Sequence, residues 1–594
     1  MEQMKRTHTC GELHTDHVGS TVTLNGWVHR NRDHGGIHFI NLRDRYGITQ
    51  IVIDEDAPAA LTHIAGELKF EYCIAVTGKV RERPDEMKNP DMETGDIEVA
   101  ASDIRVLSTC ETLPFMIDEK SEAREDLRLK YRYLDLRSFS MQRNITLRHE
   151  VTWATREFMA DKGFFEIETP TLIKSTPEGA RDLLVPSRLQ AGKFYALPQS
   201  PQMLKQILMV SGFDKYYQIA RCYRDEDARG DRQLEFTQID MEMSFVSRDD
   251  VLSVMEGLMS RVFKSGMDTN LQTPFPRFSY REAMDRYGTD KPDLRFSLEL
   301  QDISTLVGTS DFRVFSDTVA SGGSVKALRV PGKSDYSRKQ IDELEKTAKI
   351  YGAKGLAWFK VGEEGFEGGV SKFLKGIEEN LAETLKAKAS DLVVMVADTW
   401  TTACTALGAV RAALGKHLGL AKKGDFRFCW VIDFPLFEWN EEKNGWDPMH
   451  HMFSMPQEAY LDSMEKNPGA VMGDLYDLVC NGYELASGSI RIHDPEIQRK
   501  VFKIIGFSED EAAERFGFLL NSFRYGPPPH GGIAVGLDRL VMIMAGEPSI
   551  REVIPFPKNT AGISPMDDSP SVVDPVQLEE LRIALDMEEE SSGK

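Results

Sequence analysis

One charged segment, residues 218–245 (QIARCYRDEDARGDRQLEFTQIDMEMSF), constrains the fold more than any other part of this sequence. Two runs with the alternation of β-strands flank a charged loop that contains glycine, which predicts a hairpin. Side chains of the second run alternate between two faces. The polar face carries an aromatic ring, an amide and two carboxylates, from Phe236, Gln238, Asp240 and Glu242. The opposite face carries Thr237, Ile239, Met241 and Met243, and its apolar residues must pack against a core.

The polar face of this hairpin has two interpretations. Taken alone, such alternation is typical of a strand with one solvated face. The first run, however, adds Arg221 and Arg224 beside Phe236, followed by the carboxylates of Asp225 and Glu226. Guanidinium groups bind phosphate, and an exposed ring stacks on a base. We therefore favour a nucleotide site on this face.

The composition limits the class of protein and its compartment. The 594 residues are enough for about three to five domains. Seven cysteines without a C-x-x-C pattern argue against a disulfide framework and a thiolate zinc site, and they fit the cytoplasm. No apolar run predicts a membrane span, and the N-terminus lacks the apolar stretch of a secretory signal. The net charge of −22 counts against nucleic-acid binding by the whole surface, so an RNA partner must meet local basic patches.

Changes of pattern along the chain predict an α+β protein with several domains. Short strands with glycine turns at the N-terminus predict a small closed barrel. Two later stretches share polar-faced strands, and the stretch between them has its own helical and strand patterns, which predicts an inserted domain. The predicted parts are a barrel (1–108), a hinge (109–137), the two halves of one domain (138–284 and 420–565), the insertion (285–419) and an acidic C-terminal extension (566–594).

Four individual elements are also predicted. A helix begins at Ile145 and ends at Gly163, and the strand FFEIETPTL follows with Pro170 at a sheet edge. The insertion carries a helix over SRKQIDELEKTAKIYG and a strand over DLVVMVAD. A short helix covers LEELRIALDMEEE near the C-terminus.

The hairpin resembles the second signature motif of class II aminoacyl-tRNA synthetases in its aspartyl form, with Arg-x-x-Arg-Asp-Glu, a loop and Glu-Phe-Thr-Gln-x-Asp. GIAVGLDRLVMIM, residues 532–544, resembles the third motif. The helix and strand that end at Pro170 resemble the first motif, which forms the dimer interface in that family. No P-loop pattern occurs, and this family binds ATP with arginines and Mg²⁺ instead. The resemblance implies an N-terminal OB-fold barrel, a catalytic domain built on an antiparallel sheet, and the inserted α+β domain of bacterial aspartyl enzymes.

The resemblance also implies an ATP site. Arg224 would bind the α-phosphate and the substrate carboxylate, and Arg539 the γ-phosphate, so both are catalytic candidates together with Glu484. Asp477 and Glu484 match the Mg²⁺ ligands. The other implied ATP-binding residues are Asp225, Glu226, Gln233, Phe236, Gly536, Leu537 and Asp538.

An L-aspartate site is implied by a further set of residues. The full set is Glu178, Gln202, Lys205, Arg224, Asp240, His450 and Arg491. Lys205 and Arg491 would bind the side-chain carboxylate, and Glu178, in the mobile loop TPEGARD, would meet the α-ammonium. Glu484 and Arg491 are seven residues apart, so a straight strand would place them on opposite faces, and we predict a bulge near Gly488. The neighbours His450 and His451 would point apart on a strand, which argues against a metal site there.

The implied reaction is ATP-dependent activation of aspartate and its transfer to tRNA(Asp). Arg30 and Phe39 of the barrel resemble base-contacting positions. His34 stands at a loop position where enzymes of relaxed tRNA specificity tend to carry histidine; those enzymes also charge tRNA(Asn) and work with an amidotransferase. Glu86, in contrast, stands where those enzymes carry glycine. The two cues conflict, and we favour charging of both tRNAs.

Two alternatives remain open. An asparaginyl or lysyl synthetase would share the fold, although two cations in the amino-acid pocket suit a carboxylate better. A non-catalytic, synthetase-like RNA-binding protein would be expected to lack one of the ATP-binding residues, and Arg224, Phe236, Glu484 and Arg539 are all present. The implied assembly is a homodimer without a membrane segment.

Overall fold

The computed structural model describes residues 5–118, 122–176 and 179–586. The chain divides into two compact units, one comprising Met1–Ile145 with Ser564–Ser569 and the other comprising Thr146–Ile563 with Pro570–Lys594. Within the described ranges, no helix has both the length and the apolar character needed to cross a membrane.

The first unit contains a closed barrel of five strands in the order β1-β2-β3-β5-β4, which confirms the predicted OB-fold class. Alternate side chains of β1, such as Val22, Leu24 and Val28, are buried in the barrel core, as the sequence pattern predicts. The elements of this unit are β1 (Thr21–His34), β2 (Ile37–Arg43), β3 (Ile48–Ile53), α1 (Ala59–Glu67), β4 (Cys73–Glu82), β5 (Ile97–Ser108), α2 (Glu125–Lys130) and α3 (Arg132–Asp135).

The helix predicted from Ile145 is longer than expected, because α4 spans Phe139–Asp161. Ser138 precedes it, and its hydroxyl accepts a hydrogen bond from the backbone N–H of Met141, a capping signal that apolar spacing alone misses. The long strand predicted after Gly163 is wrong, because β6 covers only Phe165–Glu166. Pro170 lies outside the strand, as its missing N–H cannot extend the ladder.

The second unit continues with a segment of short strands and helices that ends just before the insertion. Its elements are β7 (Leu184–Pro186), β8 (Phe194–Ala196), α5 (Gln202–Val210), β9 (Lys215–Tyr223), β10 (Glu235–Ser244), α6 (Arg248–Met267), β11 (Arg277–Ser279) and α7 (Tyr280–Tyr287). Strands β9 and β10 pair antiparallel from Lys215 with Met243 to Tyr223 with Glu235, which confirms the predicted hairpin.

A separate five-stranded sheet then follows, and we call the segment Leu300–His417 the inserted module. Its elements are β12 (Leu300–Asp302), α8 (Ser304–Val307), α9 (Arg313–Ala320), β13 (Ser324–Val330), α10 (Arg338–Ile350), β14 (Ala357–Val361), β15 (Phe366–Glu367), α11 (Glu378–Leu385), β16 (Leu392–Asp398) and α12 (Trp400–His417). One core joins the sheet to α10 and α12, and another joins its opposite face to α9 and α11. The helix and strand predicted here are confirmed as α10 and β16.

After the module the chain returns to the first sheet. The remaining elements are β17 (Phe428–Ile432), β18 (Phe437–Asn440), β19 (Gly445–Pro448), β20 (Leu475–Cys480), β21 (Tyr483–Ile490), α13 (Pro495–Ile504), α14 (Glu509–Ser522), β22 (His530–Gly536), α15 (Leu537–Ala545) and α16 (Pro575–Leu581). The completed sheet has eight strands in the order β11-β17-β20-β21-β22-β10-β9-β6. All strands from β17 to β9 pair antiparallel, and α6 and α15 cover the apolar face.

The C-terminal helix is only partly as predicted. Asp574 caps α16 and Pro575 occupies its first turn, so the helix begins earlier than expected and ends at Leu581. Part of the predicted range lies outside the described residues. The domain boundaries at 108, 137, 284, 419 and 565 stay predictions.

Candidate active site

A cavity of about 650 Å³ lies on the polar face of the eight-stranded sheet. Phe236, Gln238 and Asp240 of β10 line it, whereas Ile239 and Met241 of the same strand are fully buried in the core on the other face. The alternation read from the sequence therefore separates a core face from a cavity face, and the interpretation of a merely solvated strand is wrong.

Arg224 follows β9 and lies over the Phe236 ring, with its guanidinium carbon 5.1 Å from the ring centroid. No carboxylate pairs with this guanidinium among the described residues, so its charge is free for a ligand. Arg221 points elsewhere, because its side chain pairs with Glu235 and donates to the Thr237 hydroxyl. Of the two arginines that the hairpin pattern suggests, only Arg224 lines the cavity.

Arg539 enters the cavity from the start of α15. Its guanidinium donates to the backbone carbonyl of Glu484 and lies 3.2 Å from a carboxylate oxygen of Asp231. Asp538 has a structural role, because one carboxylate oxygen accepts from the backbone N–H of Thr237 at 2.8 Å and the other from Arg148 at 2.6 Å. These bonds fix the helix start that presents Arg539.

The remaining predicted ATP-binding residues divide into two groups. Glu226, Gln233 and Gly536 line the cavity, and the Gln233 amide exchanges two hydrogen bonds with the Lys558 backbone. Leu537 does not reach it, because its side chain is packed in the core. Asp225 does not line it either, and lies instead in an adjacent cavity of about 770 Å³.

A buried cluster of four charges forms the floor of the cavity. The Lys205 ammonium lies 2.7 Å from Asp240 and 3.2 Å from Glu242. The Arg491 guanidinium lies 2.9 Å from Glu242 and donates to the Ser489 hydroxyl at 2.8 Å. All four charged side chains are at most 5% exposed. Each cation therefore has a carboxylate partner, as buried charges require.

The two carboxylates of the cluster differ in their pKa. Burial raises the pKa of Asp240, and Lys205 does not fully offset it. Burial also acts to raise the pKa of Glu242, but Arg491 and Lys205 outweigh it, and the pKa lies below the ordinary value. Burial together with the charge of Arg491 lowers the pKa of His451 to about 3, so His451 is neutral at physiological pH.

The predicted bulge exists, but its position was wrong. Strand β21 pairs with β20 through Ala486 opposite Leu478 and Glu484 opposite Val479, which leaves Leu485 as the extra residue. The register shift brings Glu484 and Arg491 to the same cavity. Gly488 is needed for another reason, because a Cβ there would lie 2.3 Å from the Gly532 carbonyl oxygen.

Asp477 and Glu484 are two neighbouring carboxylates that could hold a divalent cation. Burial and the neighbouring charge of Glu484 hold the pKa of Asp477 well above its ordinary value, and Oδ1 of Asp477 is buried without a hydrogen-bond partner among the described residues. Within the same residues, no group of three His, Cys, Asp or Glu side chains could hold a metal alone. Two carboxylates that need a cation suit Mg²⁺ shared with substrate phosphates.

The histidine prediction was wrong in its geometry. His450 and His451 follow β19 and lie outside any strand, and both line the cavity. Nε2 of His450 is 3.8 Å from the Asp477 carboxylate. Burial lowers the pKa of His450.

Some predicted residues lie elsewhere or were missed. Gln202 lines the cavity, whereas Glu178 lies outside the described residues. In the barrel, His34 is the last residue of β1 and Glu86 lies in a short 3-10 turn. Both are exposed, and so is Arg30, whereas Phe39 is half-buried.

The sequence alone does not predict Lys291, a cavity-lining residue between α7 and β12, because no motif marks that segment.

Comparison with known proteins gives concordant results. A family described as tRNA synthetases class II (D, K and N) matches residues 124–560, and one described as OB-fold nucleic acid binding domain matches residues 22–107. The Aspartate--tRNA(Asp/Asn) ligase of Treponema denticola is 64% identical over 588 residues, which are 98% of this chain and 100% of the relative. That of Treponema pallidum (strain Nichols) is 55% identical and covers 98% of each chain. The asparaginyl-tRNA synthetase from Pyrococcus horikoshii complexed with asparaginyl-adenylate shares the fold, at 19% identity and a TM-score of 0.59, over 93% of this chain and 98% of that one.

Proposed function

Because the chain belongs to the class II tRNA synthetases (D, K and N), we propose that it is an aspartate–tRNA ligase that uses ATP. The observation that carries the proposal is the pairing of two sites in one cavity. Arg224 over Phe236 suits a nucleotide, and Lys205 with Arg491 suits a side-chain carboxylate. An uncharged asparagine or a cationic lysine side chain fits two cations less well.

The proposed reaction has two steps. An oxygen of the aspartate α-carboxylate attacks the α-phosphorus of ATP, and the bond to the bridging oxygen of pyrophosphate breaks. The 3′-terminal hydroxyl of the tRNA then attacks the carbonyl of the aspartyl-adenylate, and AMP leaves. Arg224 stabilises the charge on the α-phosphate, and Arg539 holds the leaving pyrophosphate. No side chain forms a covalent bond, so positioning and charge account for the catalysis.

Asp477 and Glu484 would hold Mg²⁺, which would neutralise charge on the phosphate oxygens. The other predicted roles follow the same layout. Gln202, Asp240 and His450 face the amino acid, whereas Glu226, Gln233, Phe236 and Gly536 face the nucleotide. We expect Glu178, which lies outside the described residues, to meet the α-ammonium, as the family resemblance implies. The barrel would bind the anticodon through Arg30 and Phe39.

We further propose that both tRNA(Asp) and tRNA(Asn) are charged, in the cytoplasm. The names of the relatives from the two Treponema species include both tRNAs, and His34 is exposed at the end of β1. Charging of tRNA(Asn) would leave an aspartyl group that must be amidated, which implies a partner amidotransferase.

Charging of the two purified tRNA transcripts, measured side by side with radiolabelled aspartate, tests this function. Both transcripts are expected to accept aspartate in the presence of ATP and Mg²⁺. His34→Leu should lower charging of tRNA(Asn) more than that of tRNA(Asp), and His14→Leu, another exposed barrel histidine, is the matched control. Charging of neither intact transcript would exclude the proposed function. Charging of tRNA(Asp) alone would exclude the dual specificity. Glu86, and not His34, would then be the residue that indicates the tRNA specificity.

A homodimer is proposed from exposed aromatic residues on and near α4. Trp153, Phe165 and Phe245 are 54%, 61% and 75% exposed, and Phe213 contacts Phe165 with ring centroids 6.4 Å apart. The backbone N–H of Ser244, beside Phe245, donates to the carbonyl of Asp214, which follows Phe213, so Phe165, Phe213 and Phe245 form one patch. Exposed apolar patches of this kind mark protein interfaces.

Sedimentation equilibrium at micromolar concentration is expected to show a dimer, and Phe165→Glu should convert it to a monomer. Tyr351→Glu changes a comparably exposed ring (54%) in the inserted module and should leave the dimer intact. A dimer that persists in Phe165→Glu would place the interface elsewhere.

A further inference from the structure

Lys291 brings a positive charge to the cavity from outside the three motifs. It lies in the segment that joins α7 to the inserted module, and it is one of the residues that line the cavity. The same segment touches the β20–β21 turn next to Glu484. A Cβ built at Gly482 in that turn would lie 3.5 Å from Cβ of Asp293 and 3.9 Å from the Lys291 carbonyl oxygen.

The Lys291 ammonium is available to a ligand. Its side chain is 46% exposed, and its ion pair with Asp290 has a separation of 4.0 Å, which is too long for a hydrogen bond. No other carboxylate pairs with it in the described part of the chain.

The inserted module holds this segment in place through Arg411 of α12. The guanidinium is almost fully buried and donates to three backbone carbonyls of the segment, those of Asp293 at 2.8 Å, Phe296 at 3.0 Å and Leu298. It also lies 4.3 Å from the centroid of the Phe296 ring. Burial lowers the pKa of Arg411 to about 10, so the side chain stays charged at physiological pH.

The contact between the segment and α12 is also close in the backbone. A Cβ at Gly408 of α12 would lie 2.3 Å from the Gly288 carbonyl oxygen. The segment is therefore fixed at Gly288 and again from Asp293 to Leu298, and Lys291 lies between the two attachments.

We propose that Lys291 binds the triphosphate of ATP during amino-acid activation, and that Arg411 of the inserted module is the positioning residue that holds it there. Lys291 lines the same cavity as Arg224, Arg539 and Glu484, so its ammonium adds a cation to the cavity in which a triphosphate would bind. The inserted module thereby contributes to the active site without reaching into it. This inference rests on the proposed function.

Aspartate-dependent exchange of pyrophosphate into ATP, followed at varied ATP concentration in the full-length enzyme, tests the role of Lys291. Lys291→Met should raise the KM for ATP about tenfold, because it removes one partly screened charge contact with the triphosphate. Lys291→Arg keeps the charge and should stay within about threefold of the native enzyme. The difference in the KM for ATP between the native enzyme and Lys291→Met should become smaller as the salt concentration is raised, because salt screens exposed charges.

Lys333→Met is the matched control, because this half-buried lysine of the inserted module lines a different cavity and no carboxylate pairs with it among the described residues. It should leave the KM for ATP unchanged. An unchanged KM for ATP in Lys291→Met would overturn the inference. So would a variant with native pyrophosphate exchange but slower transfer of aspartate to tRNA, because Lys291 would then contact the tRNA instead of ATP. Absence of exchange in the native enzyme would instead exclude the proposed function.

A double-mutant cycle tests the role of Arg411. Arg411→Met should raise the KM for ATP in the native background but add less than about twofold in the Lys291→Met background. If Arg411 had only a structural role, Arg411→Met would lower the folded fraction, measured by thermal melting, and its effect on the KM for ATP would be the same with Lys291 or methionine at position 291. Additive effects of the two substitutions on KM would overturn the positioning role, and so would an Arg411→Met enzyme with the native KM.

Discussion

Arg491→Met is expected to abolish aspartate-dependent pyrophosphate exchange, with a loss of kcat/KM of about 10³-fold or more. Arg491 forms two hydrogen bonds to the Glu242 carboxylate, at 2.9 and 3.3 Å, and is 5% exposed at its side chain. With Lys205 it supplies the positive charge that we assign to the side-chain carboxylate of aspartate. Methionine keeps much of the volume but removes that charge, so the substrate carboxylate would be desolvated with Lys205 as its one remaining cation, and Lys205 already pairs with Asp240 and Glu242.

The same substitution is expected to destabilise the fold. Glu242 is fully buried, and its remaining cation, Lys205 at 3.2 Å, is shared with Asp240. Removing one partner of a buried ion pair typically costs about 3–5 kcal/mol. Thermal melting and denaturant titration of the variant should show a clear loss of stability beside the native enzyme.

A double variant separates the two effects. Glu242→Gln added to Arg491→Met removes the uncompensated carboxylate and should restore most of the lost stability while leaving exchange activity absent. Recovery of activity together with stability would mean that Arg491 acts only through folding, and would contradict its proposed contact with aspartate. A double variant as unstable as Arg491→Met would instead contradict the charge-pair argument.

The sequence predicts the parts of this site that obey a period or a motif. The alternation along β10 places Phe236, Gln238 and Asp240 in the cavity and Ile239 and Met241 in the core, because successive side chains of a strand point to opposite faces. Arg224 and Arg539 both line the cavity, as the resemblance implies. The barrel and the helix and strand of the inserted module are also predicted from the sequence, because their hydrophobic patterns are local.

What the sequence does not predict depends on contacts between distant segments. The extra residue of β21 is Leu485, not a residue near Gly488, because the register against β20 decides it. The pairing of Glu242 with Arg491 joins residues 249 positions apart, and no spacing rule reaches that far. Lys291 lines the cavity from a segment without a motif, and that segment contacts Arg411, which is 120 positions away in the sequence, through the carbonyls of Asp293 and Phe296.

Arg224→Met is expected to lower kcat for pyrophosphate exchange by about 10²–10³-fold, the usual cost of losing one preorganised charge at a transition state. Unlike Arg491, Arg224 has no carboxylate partner among the described residues and contacts the Phe236 ring instead. Its removal therefore leaves no buried charge unpaired. We expect the free energy of unfolding to change by less than about 1 kcal/mol.

Arg221→Met is the matched control for this prediction, because Arg221 belongs to β9, which Arg224 directly follows, but pairs with Glu235 and does not line the cavity. Its exchange activity should stay within about twofold of the native value. Equal losses in the two variants would mean that the strand, and not the guanidinium over Phe236, carries the effect. Together with Arg491→Met, the three substitutions distinguish a charge that the fold needs from one that only the substrate needs. Only the Arg491 variant should lose both stability and activity, whereas Arg224→Met should lose activity alone.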